Sequence, residues 1–247
     1  MQRTAQAVSS RPRVAAGGAA LIAMPTRGVF ITLEGPEGAG KTTQAHLLHE
    51  ALRGRYPVLH SREPGGTAIG ERIRALLLDD AHAEMDPRTE MLLFAASRAQ
   101  FVAEVVEPAL RGGQIVLSER YVDTSIAYQG VGRGLSVELV RRVNEVATGG
   151  VSPDLTILLD IEPADGLQRA RAADGKEGRR GRGDRFEQEA LAFHARVRAG
   201  FLAIAHEEPD RVRIVDGSRA QHVVHDEILR VVEGLLGARG WRASSSS

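Results

Sequence analysis

Apolar residues follow two different spacings along this chain, and the two spacings alternate. Short runs of β-branched and other apolar residues predict strands over residues 29–34, 58–61, 114–119, 154–161 and 212–215. Between these runs, apolar residues recur at every third or fourth position, which predicts helices over residues 42–53, 69–78, 88–110, 137–147, 187–206 and 220–236. Strands that alternate with helices predict an α/β fold with a five-stranded parallel sheet flanked by helices.

The two ends of the chain lack this pattern. Residues 1–27 contain Arg, Ser, Ala and Gly but no acid, and we expect a disordered extension there. A transit peptide and a true start at Met24 are alternative interpretations of the same segment. Residues 239–247 end in four serines and are expected to form a flexible tail. One domain over residues 28–238 remains, a length that suits a single core.

The composition narrows the possible functions mainly by exclusion. The 32 basic and 32 acidic residues cancel, so we expect no general attraction to nucleic acid or to an anionic membrane. No apolar run approaches the ~20 residues that a membrane span needs. The absence of cysteine excludes disulfides, thiolate metal sites and thiol nucleophiles, and it fits a cytoplasmic location. Any anion must therefore be bound by a local site.

The first predicted strand leads directly into a glycine-rich loop and then a helix. In this setting the pattern G-x-x-x-x-G-K-[ST] is specific for phosphate binding. Its glycines let backbone N–H groups face phosphate oxygens, Lys41 can reach the β- and γ-phosphates, and Thr42 can ligate Mg²⁺. A nucleoside triphosphate used for phosphoryl transfer is therefore predicted at Gly35-Pro36-Glu37-Gly38-Ala39-Gly40-Lys41-Thr42-Thr43.

A phosphate loop alone fits GTPases, motor ATPases, transporters and small-molecule kinases. The D-x-x-G and N-K-x-D motifs of a GTPase do not occur in the sequence. The predicted third strand ends in Glu119-Arg120-Tyr121 rather than in the adjacent acids typical of an oligomeric ATPase. Taken alone, a glutamate followed by an arginine is more simply explained as a salt bridge at the end of a strand. The choice among the classes of phosphate-loop protein therefore depends on other segments.

Three further segments carry residues suited to a second substrate. Arg62 precedes a Pro-Gly-Gly turn that opens a helix. Phe94 and Arg98 are four residues apart, which places a ring and a guanidinium on one helix face. Beyond Glu119 and Arg120, hydroxyl and amide groups are spaced one helical turn apart at Ser125, Tyr128 and Gln129. Each segment also has a simpler interpretation when it is considered alone. Phe94 is then a residue of the hydrophobic core, and the segment after Arg62 is then a turn with no binding role.

A basic, glycine-interrupted segment lies between the last predicted helices. Alone, the run 179–187 would be a solvated charge cluster or a nucleic-acid patch. After the fourth strand of a phosphate-loop fold, it is better interpreted as a mobile lid over about residues 174–186 that closes on ATP. No arginine occupies the variable positions of the phosphate loop, so Arg182 and Arg185 are expected to balance the charge of the transition state.

Taken together and in this order, the motifs resemble the thymidylate kinases, in particular the bacterial type with a basic lid. The resemblance runs from about Phe30 to Leu236. It implies a P-loop nucleoside monophosphate kinase fold, transfer of the γ-phosphoryl group of MgATP to dTMP to give dTDP and ADP, and a homodimer. It is carried by the segments 34–43, 62–67, 93–100, 118–130 and 182–187.

The resemblance also implies roles at the donor site. Thr42 and Glu119 would hold the Mg²⁺ cofactor, and the whole phosphate loop, Gly35 to Thr43, would bind ATP. The family usually has Asp at the position of Glu119 and often Asp at that of Ser97. The longer carboxylate could change a direct Mg²⁺ contact into a water-mediated one. The implied catalytic groups are Lys41, Arg120, Arg182 and Arg185.

At the acceptor site, the resemblance assigns the base and the sugar of dTMP to five residues. Phe94 would stack on thymine, and Arg98 would hydrogen-bond a thymine carbonyl. Ser125, Tyr128 and Gln129 would approach the base and the deoxyribose, with Tyr128 disfavouring a ribose 2′-OH.

The rest of the acceptor would be held by three charged residues. Glu37 would meet the sugar 3′-OH, while Arg62 and Arg120 would hold the acceptor phosphate. Two other functions stay open: a kinase for another nucleotide or a nucleoside, and a nucleotide-binding regulator without turnover.

Overall fold

A parallel β-sheet forms the centre of the molecule in the computed structural model, which describes residues 27–176 and 185–242. The strand order is β2-β3-β1-β4-β5, and each neighbouring pair is parallel. The predicted five-stranded α/β fold is therefore confirmed. The strands are β1 (Val29–Glu34), β2 (Val58–Arg62), β3 (Ile115–Glu119), β4 (Leu155–Asp160) and β5 (Val212–Asp216).

Helices connect successive strands and cover the sheet. They are α1 (Lys41–Arg53), α2 (Ala68–Leu78), α3 (Pro87–Phe101), α4 (Glu107–Arg111), α5 (Val122–Ser125), α6 (Val137–Thr148), α7 (Pro163–Lys176), α8 (Leu191–Glu207) and α9 (Gln221–Ala238). Among the described residues, no helix is long and apolar enough to cross a membrane. Most of the expected extension (residues 1–27), lid (about residues 174–186) and tail (residues 239–247) lies outside the described part of the chain. Within the described part, α7 continues to Lys176, and Arg185 and Phe186 are buried. The prediction of a flexible tail is wrong at Trp241, because this side chain is 7% exposed and packs in the core with residues of α9.

Capping residues explain where several helices begin. The side chains of Thr67, Asp86 and Ser136 each accept a hydrogen bond from a backbone N–H in the first turn of α2, α3 and α6. Pro87 follows Asp86 at the first position of α3, where its missing N–H costs nothing. These starts follow from local chemistry, and they lie within one residue of the predicted ones.

Two helical predictions need correction, and one further helix was not predicted. The single helix over 88–110 is interrupted by a wider π-helical turn at Val102–Val106, because Pro108 cannot donate the next helical hydrogen bond. The helix predicted from residue 187 begins at Leu191, after a turn in which Glu189 N–H donates to the Phe186 carbonyl. Helix α7 was not predicted, because Leu167 is the one large aliphatic residue in its sequence.

Strand β1 occupies the middle of the sheet and is buried along its whole length. Alternate residues point to opposite faces. Val29, Ile31 and Leu33 pack in a core with residues of α1 and α9. Phe30 packs on the other face against Phe101 and residues of the α3 to α4 segment. Layers on both faces hold the strand in place, so the loop that follows it starts from a rigid element.

The register of the strands brings the predicted site residues to one edge. Glu119 is paired with Leu33 of β1 on one side and with Arg62 of β2 on the other. Parallel strands end at the same edge of a sheet, where α/β proteins bind their ligands. The phosphate loop, the turn after β2 and the turn after β3 therefore meet at the carboxyl edge.

Helix α7 lies directly against the phosphate loop. A Cβ atom at Gly166 would lie 2.3 Å from the Glu37 carbonyl oxygen, and one at Gly38 would lie 1.9 Å from the Gly166 carbonyl oxygen. Gly38 also has a φ of 67°, a conformation that side chains disfavour. The two glycines thus permit a backbone contact that no larger residue would allow.

The contact between α7 and the phosphate loop leads to a stability prediction. In Gly166→Ala, the new methyl group would overlap the Glu37 carbonyl, and overpacking costs ~1–3 kcal/mol. This exceeds the helix propensity gained, about 1 kcal/mol. We expect a lower free energy of unfolding in urea denaturation followed by circular dichroism, together with weaker ATP binding.

Gly234→Ala is the matched control. Gly234 also lies within a helix, but a Cβ atom there meets no atom within 4 Å. The free energy of unfolding of Gly234→Ala should equal that of the parent chain or exceed it by up to about 1 kcal/mol. Equal stability of the two variants would contradict the proposed close contact.

Candidate active site

A cavity of about 650 Å³ opens at the carboxyl edge of the sheet. One part of its wall is the phosphate loop with the first turn of α1, and another part is formed by the turns after β2 and β3. The aromatic side chains of Phe94, Tyr128 and Phe186 form a third part of the wall, and residues of α7 and of the turn after β5 form a fourth. The residues of the predicted site that line it are Glu37, Gly38, Ala39, Gly40, Lys41, Thr42, Thr43, Arg62, Phe94, Glu119, Arg120 and Tyr128.

The phosphate loop turns sharply so that its backbone encloses a concave space. Gly35, Gly38 and Gly40 have φ values of 141°, 67° and 93°, which other residues rarely adopt. The loop ends at the N-terminus of α1, where N–H groups and the helix dipole favour an anion. These features suit the loop to hold phosphates, as its sequence predicts.

Lys41 lies buried beneath this loop. Its Nζ donates to the carbonyl oxygens of Pro36 at 2.7 Å and Gly35 at 3.0 Å. Burial and the neighbouring Arg120 lower the pKa of Lys41 to about 8, although the surrounding carboxylates act to raise it. The ammonium therefore remains largely protonated at neutral pH and supplies positive charge inside the loop.

Glu119 connects the phosphate loop to strand β2. Thr42 Oγ1 donates to Glu119 Oε2 at 2.5 Å, and His60 Nε2 lies 3.0 Å from Glu119 Oε1. Burial acts to raise the pKa of Glu119, but the hydrogen bonds from His60 and Thr42 outweigh it and lower the pKa. Glu119 is thus a carboxylate held at the mouth of the loop. His60 was not predicted from the sequence.

Glu37, Arg120 and Tyr128 form a compact cluster in the cavity. Arg120 Nη2 and the Tyr128 hydroxyl donate to the same oxygen, Glu37 Oε1, at 2.5 and 2.9 Å. Burial opposes ionisation of Glu37, but Arg120 and Lys41 lower its pKa to about 2. Burial and the Glu37 charge raise the pKa of Tyr128, so its hydroxyl stays a donor. Three residues predicted to contact the acceptor are therefore brought together.

The backbone at Arg120 is held in an unusual conformation. Among the described residues, Arg120 is the one non-glycine residue with a positive φ, 68°. The buried Glu34 carboxylate fixes this turn by accepting from Tyr121 N–H at 2.7 Å and from Thr124 Oγ1 at 2.5 Å. Sequence reasoning missed Glu34, although an acid at the end of a fully buried strand was a signal.

Burial and the neighbouring Asp123 raise the pKa of Glu34 to about 7, against the lowering effect of its hydrogen bonds. A buried carboxyl with a displaced pKa is more common at functional sites than elsewhere. Here its contacts show what it does, because both of its oxygens bind the turn that presents the Arg120 guanidinium to the cavity.

Arg98 lies behind the cavity wall rather than in it. Its guanidinium is 1% exposed and forms an ion pair with Glu63 at 2.5 Å. It also donates to Asn144 Oδ1 at 2.5 Å and to Ser125 Oγ at 3.0 Å. Phe94, one turn earlier on α3, does line the cavity. The structure thus joins Arg98 to Ser125, and it adds Glu63 and Asn144, which sequence reasoning missed.

Arg185 and Gln129 converge on Glu90, a buried acid at the start of α3. Arg185 Nη2 lies 2.7 Å from Glu90 Oε2, and Gln129 Nε2 donates to Glu90 Oε1 at 2.8 Å. Arg185 Nε also donates to the Leu77 carbonyl at 3.0 Å. The predicted lid cation Arg185 is thus in a buried ion pair, and the predicted Arg182 lies outside the described residues.

Arg62 and Arg169 are placed at different parts of the cavity wall. Arg62 is half exposed and donates to both carboxylate oxygens of Glu71 at 3.0 Å. Arg169, on the unpredicted helix α7, donates to the carbonyl oxygens of Gly217 at 2.7 Å and Ser218 at 2.9 Å. The sequence does not predict this part of the wall, because α7 lacks the apolar spacing typical of a helix.

A parallel sheet with a phosphate loop after its central strand, and a second polar and aromatic recess beside that loop, defines a P-loop nucleoside monophosphate kinase. The family model described as Thymidylate kinase matches residues 33–228. The chain belongs to the thymidylate kinase family, and it is therefore a phosphotransferase.

Individual relatives agree with this assignment. The chain is 52% identical over 208 residues to the thymidylate kinase of Deinococcus radiodurans, covering 84% of this chain and 97% of that protein. It is 47% identical over 213 residues to that of Pelotomaculum thermopropionicum, covering 86% and 96%. The crystal structure of the Ehrlichia chaffeensis thymidylate kinase superposes with a TM-score of 0.65 at 32% identity, covering 83% of this chain and 98% of that one.

The buried carboxyl of Glu34 leads to a pH prediction. The folded chain binds a proton at Glu34 more tightly than the unfolded chain, because burial raises its pKa from 4.5 to about 7. The stability that Glu34 contributes is therefore complete below pH 4.5 and is lost as the pH rises through 7. The Glu34→Gln variant should therefore be less stable than the parent chain at pH 5. Measured by urea denaturation, this difference in free energy of unfolding should shrink by up to about 3 kcal/mol between pH 5 and pH 8.

Glu71→Gln serves as the control for this experiment. The Gly66 N–H, together with Arg62, lowers the pKa of the exposed Glu71, although burial opposes the change. The stability that Glu71 contributes is therefore lost only as the pH falls below the ordinary pKa of a glutamate. The difference in free energy of unfolding between Glu71→Gln and the parent chain should stay constant from pH 5 to pH 8. A Glu34→Gln deficit that is equally constant would show that Glu34 is not protonated in this range.

Proposed function

We propose that this chain transfers the γ-phosphoryl group of ATP to the 5′-phosphate of dTMP, giving ADP and dTDP. The observation that carries the proposal is the meeting of the phosphate loop with the Glu37, Arg120 and Tyr128 cluster in one cavity. Membership of the thymidylate kinase family supports thymine as the acceptor base.

On the donor side, the phosphate loop and Lys41 bind the β- and γ-phosphates of ATP. Among the described residues, no group of three or more His, Cys, Asp or Glu side chains is suited to bind a metal. The Thr42 hydroxyl and the Glu119 carboxylate lie side by side at the loop. This donor set fits Mg²⁺, which is commonly bound through one or two protein groups, phosphates and water. When bound, Mg²⁺ neutralises charge on the ATP phosphates.

On the acceptor side, Arg120 and Arg62 bind the dTMP phosphate, and Phe94 stacks on the thymine. Glu37 accepts from the sugar 3′-OH. Tyr128 packs beside the sugar and disfavours a ribose 2′-OH. Behind this surface, Arg98 donates to Ser125 and Gln129 donates to Glu90, and we propose that these buried pairs support the wall that faces the base.

The chemistry needs positioning and charge neutralisation rather than a general base. An ionised oxygen of the dTMP phosphate forms a bond to the γ-phosphorus, while the bond to the β,γ-bridging oxygen breaks and its electrons leave with ADP. Lys41 and Arg120 stabilise the negative charge of the transferring group. The same role for Arg182 and Arg185 stays a prediction, and Arg185 takes it only on leaving Glu90.

We further propose that two copies of the chain form a homodimer through α2, α3 and α6. These neighbouring helices expose large apolar side chains: Ile69 (52% exposed), Leu76 (47%), Leu92 (56%) and Val146 (86%). Such a group on adjacent helices is typical of an interface. The cysteine-free composition supports a cytoplasmic location for the enzyme.

The acceptor assignment is tested by measuring ADP release with ATP and each of dTMP, dUMP, dCMP, UMP and thymidine. We expect dTMP to be preferred, with UMP disfavoured relative to dUMP by about 10²-fold, as for an added hydroxyl that the site does not accommodate. Lys41→Ala should abolish turnover without changing the circular dichroism spectrum. A preference for UMP or thymidine, or ATP binding without turnover for any acceptor, would contradict the proposal.

The homodimer is tested by sedimentation velocity with Leu92→Glu. A charge at this position should dissociate the dimer, because it would be buried without a partner. Leu191→Glu is the matched control, since Leu191 is equally exposed (53%) but lies on α8. A monomeric parent chain, or equal effects of both variants, would overturn the proposed interface.

A further inference from the structure

His60 makes a contact that the reaction described above does not use. It lies on β2, and its Nε2 is 3.0 Å from Glu119 Oε1. The other carboxylate oxygen, Oε2, receives the Thr42 hydroxyl at 2.5 Å. The two oxygens of Glu119 are therefore bound by side chains from two different elements, β2 and α1, while Glu119 itself ends β3.

The position of His60 is itself well defined. Strand β2 pairs with β3 so that His60 lies opposite Leu117, two residues before Glu119. The ring of His49, on α1, lies against the His60 ring with centroids 5.9 Å apart. His60 is 22% exposed and Glu119 is 13% exposed, so their contact is largely shielded from solvent. A hydrogen bond to a carboxylate in such a place is stronger than one at an exposed surface.

Glu119 needs such a partner because its side chain is long. Glutamate has three rotatable bonds, and ordering them costs conformational entropy. A hydrogen bond at Oε1 selects the conformers in which Oε2 stays beside Thr42. Partners of this kind orient metal-binding carboxylates, and their removal commonly weakens metal binding 10- to 100-fold.

We propose that His60 is a positioning residue for Glu119 and that it holds this carboxylate in the orientation that binds the divalent cation of the ATP complex. The neutral imidazole is sufficient, since it can donate from Nε2. His60 does not line the cavity, so this role acts through Glu119 rather than through a contact with substrate or cation. The inference rests on the proposed function, because it assigns the cation site of that reaction.

The test is Mn²⁺ binding to the enzyme with ADP, measured by electron paramagnetic resonance, in a series of variants. His60→Phe keeps an aromatic ring but removes the donor, and we expect Mn²⁺ affinity to fall at least about 10-fold. His60→Gln places an amide near the position of Nε2 and should restore most of the affinity. His49→Phe is the matched control, because His49 contacts the His60 ring but not Glu119, and it should bind Mn²⁺ like the parent.

Steady-state kinetics give a second readout. His60→Phe should raise the KM for the metal and ATP, leave the KM for dTMP unchanged, and retain most of kcat at saturating metal. In a Glu119→Gln background, His60→Phe should weaken Mn²⁺ binding no further, because the carboxylate that it positions is gone.

Three results would overturn the inference: parental Mn²⁺ affinity in His60→Phe, equal losses in His60→Phe and His49→Phe, or an undiminished loss in the Glu119→Gln background. If His60→Phe does not fold, the same comparison is made with His60→Gln and His60→Leu at a temperature where thermal scans show them folded.

Failure of this inference can be distinguished from failure of the proposed function. If the parent chain phosphorylates dTMP but the His60 variants bind Mn²⁺ as tightly as the parent, this inference alone is refuted. A parent chain without dTMP kinase activity whose Mn²⁺ binding still depends on His60 refutes the proposed substrate instead.

Discussion

The hydrogen bonds of the buried Glu34 carboxylate set the distance between the two halves of the site. Glu34 ends the central strand, and the phosphate loop begins at the next residue. Its oxygens hold the turn after β3 through Tyr121 and Thr124. The phosphate loop and the turn that carries Arg120 are thus both fixed to one side chain in the core. In-line phosphoryl transfer depends on such fixed positions, since a shift of about 1 Å can cost 10²-fold in rate.

The strained turn at Arg120 is stable because several independent contacts determine it. Arg120 N–H donates to the Leu33 carbonyl at 2.9 Å, and Ser118 Oγ donates to the Arg120 carbonyl at 2.9 Å. A positive φ at a non-glycine residue costs of order 1–3 kcal/mol, and these contacts offset it. In return, the guanidinium projects into the cavity beside Glu37 and Tyr128.

Local signals predicted the strands, the phosphate loop and most helix starts, because each depends on a few neighbouring residues such as Asp86 with Pro87. What remained unpredicted depends on contacts between distant segments. Thr124 lies 90 positions from Glu34, and His60 lies 59 positions from Glu119. Helix α7 was not predicted because Leu167 is its one large aliphatic residue, and its place beside the phosphate loop depends on the contact of Gly166 with that distant segment. The ion pair of Arg185 with Glu90 likewise follows from packing between α3 and the segment before α8.

Each described cation of the cavity already has a partner before any substrate enters. Arg120 is paired with Glu37, Arg62 with Glu71, and Lys41 and Arg169 with carbonyl oxygens. These partners hold the positive groups in fixed directions, and such preorganised groups stabilise charge without the cost of reorientation. They also explain how a chain with no net charge binds two polyanionic nucleotides: the attraction comes from local, ordered cations, whose effect extends little beyond the cavity.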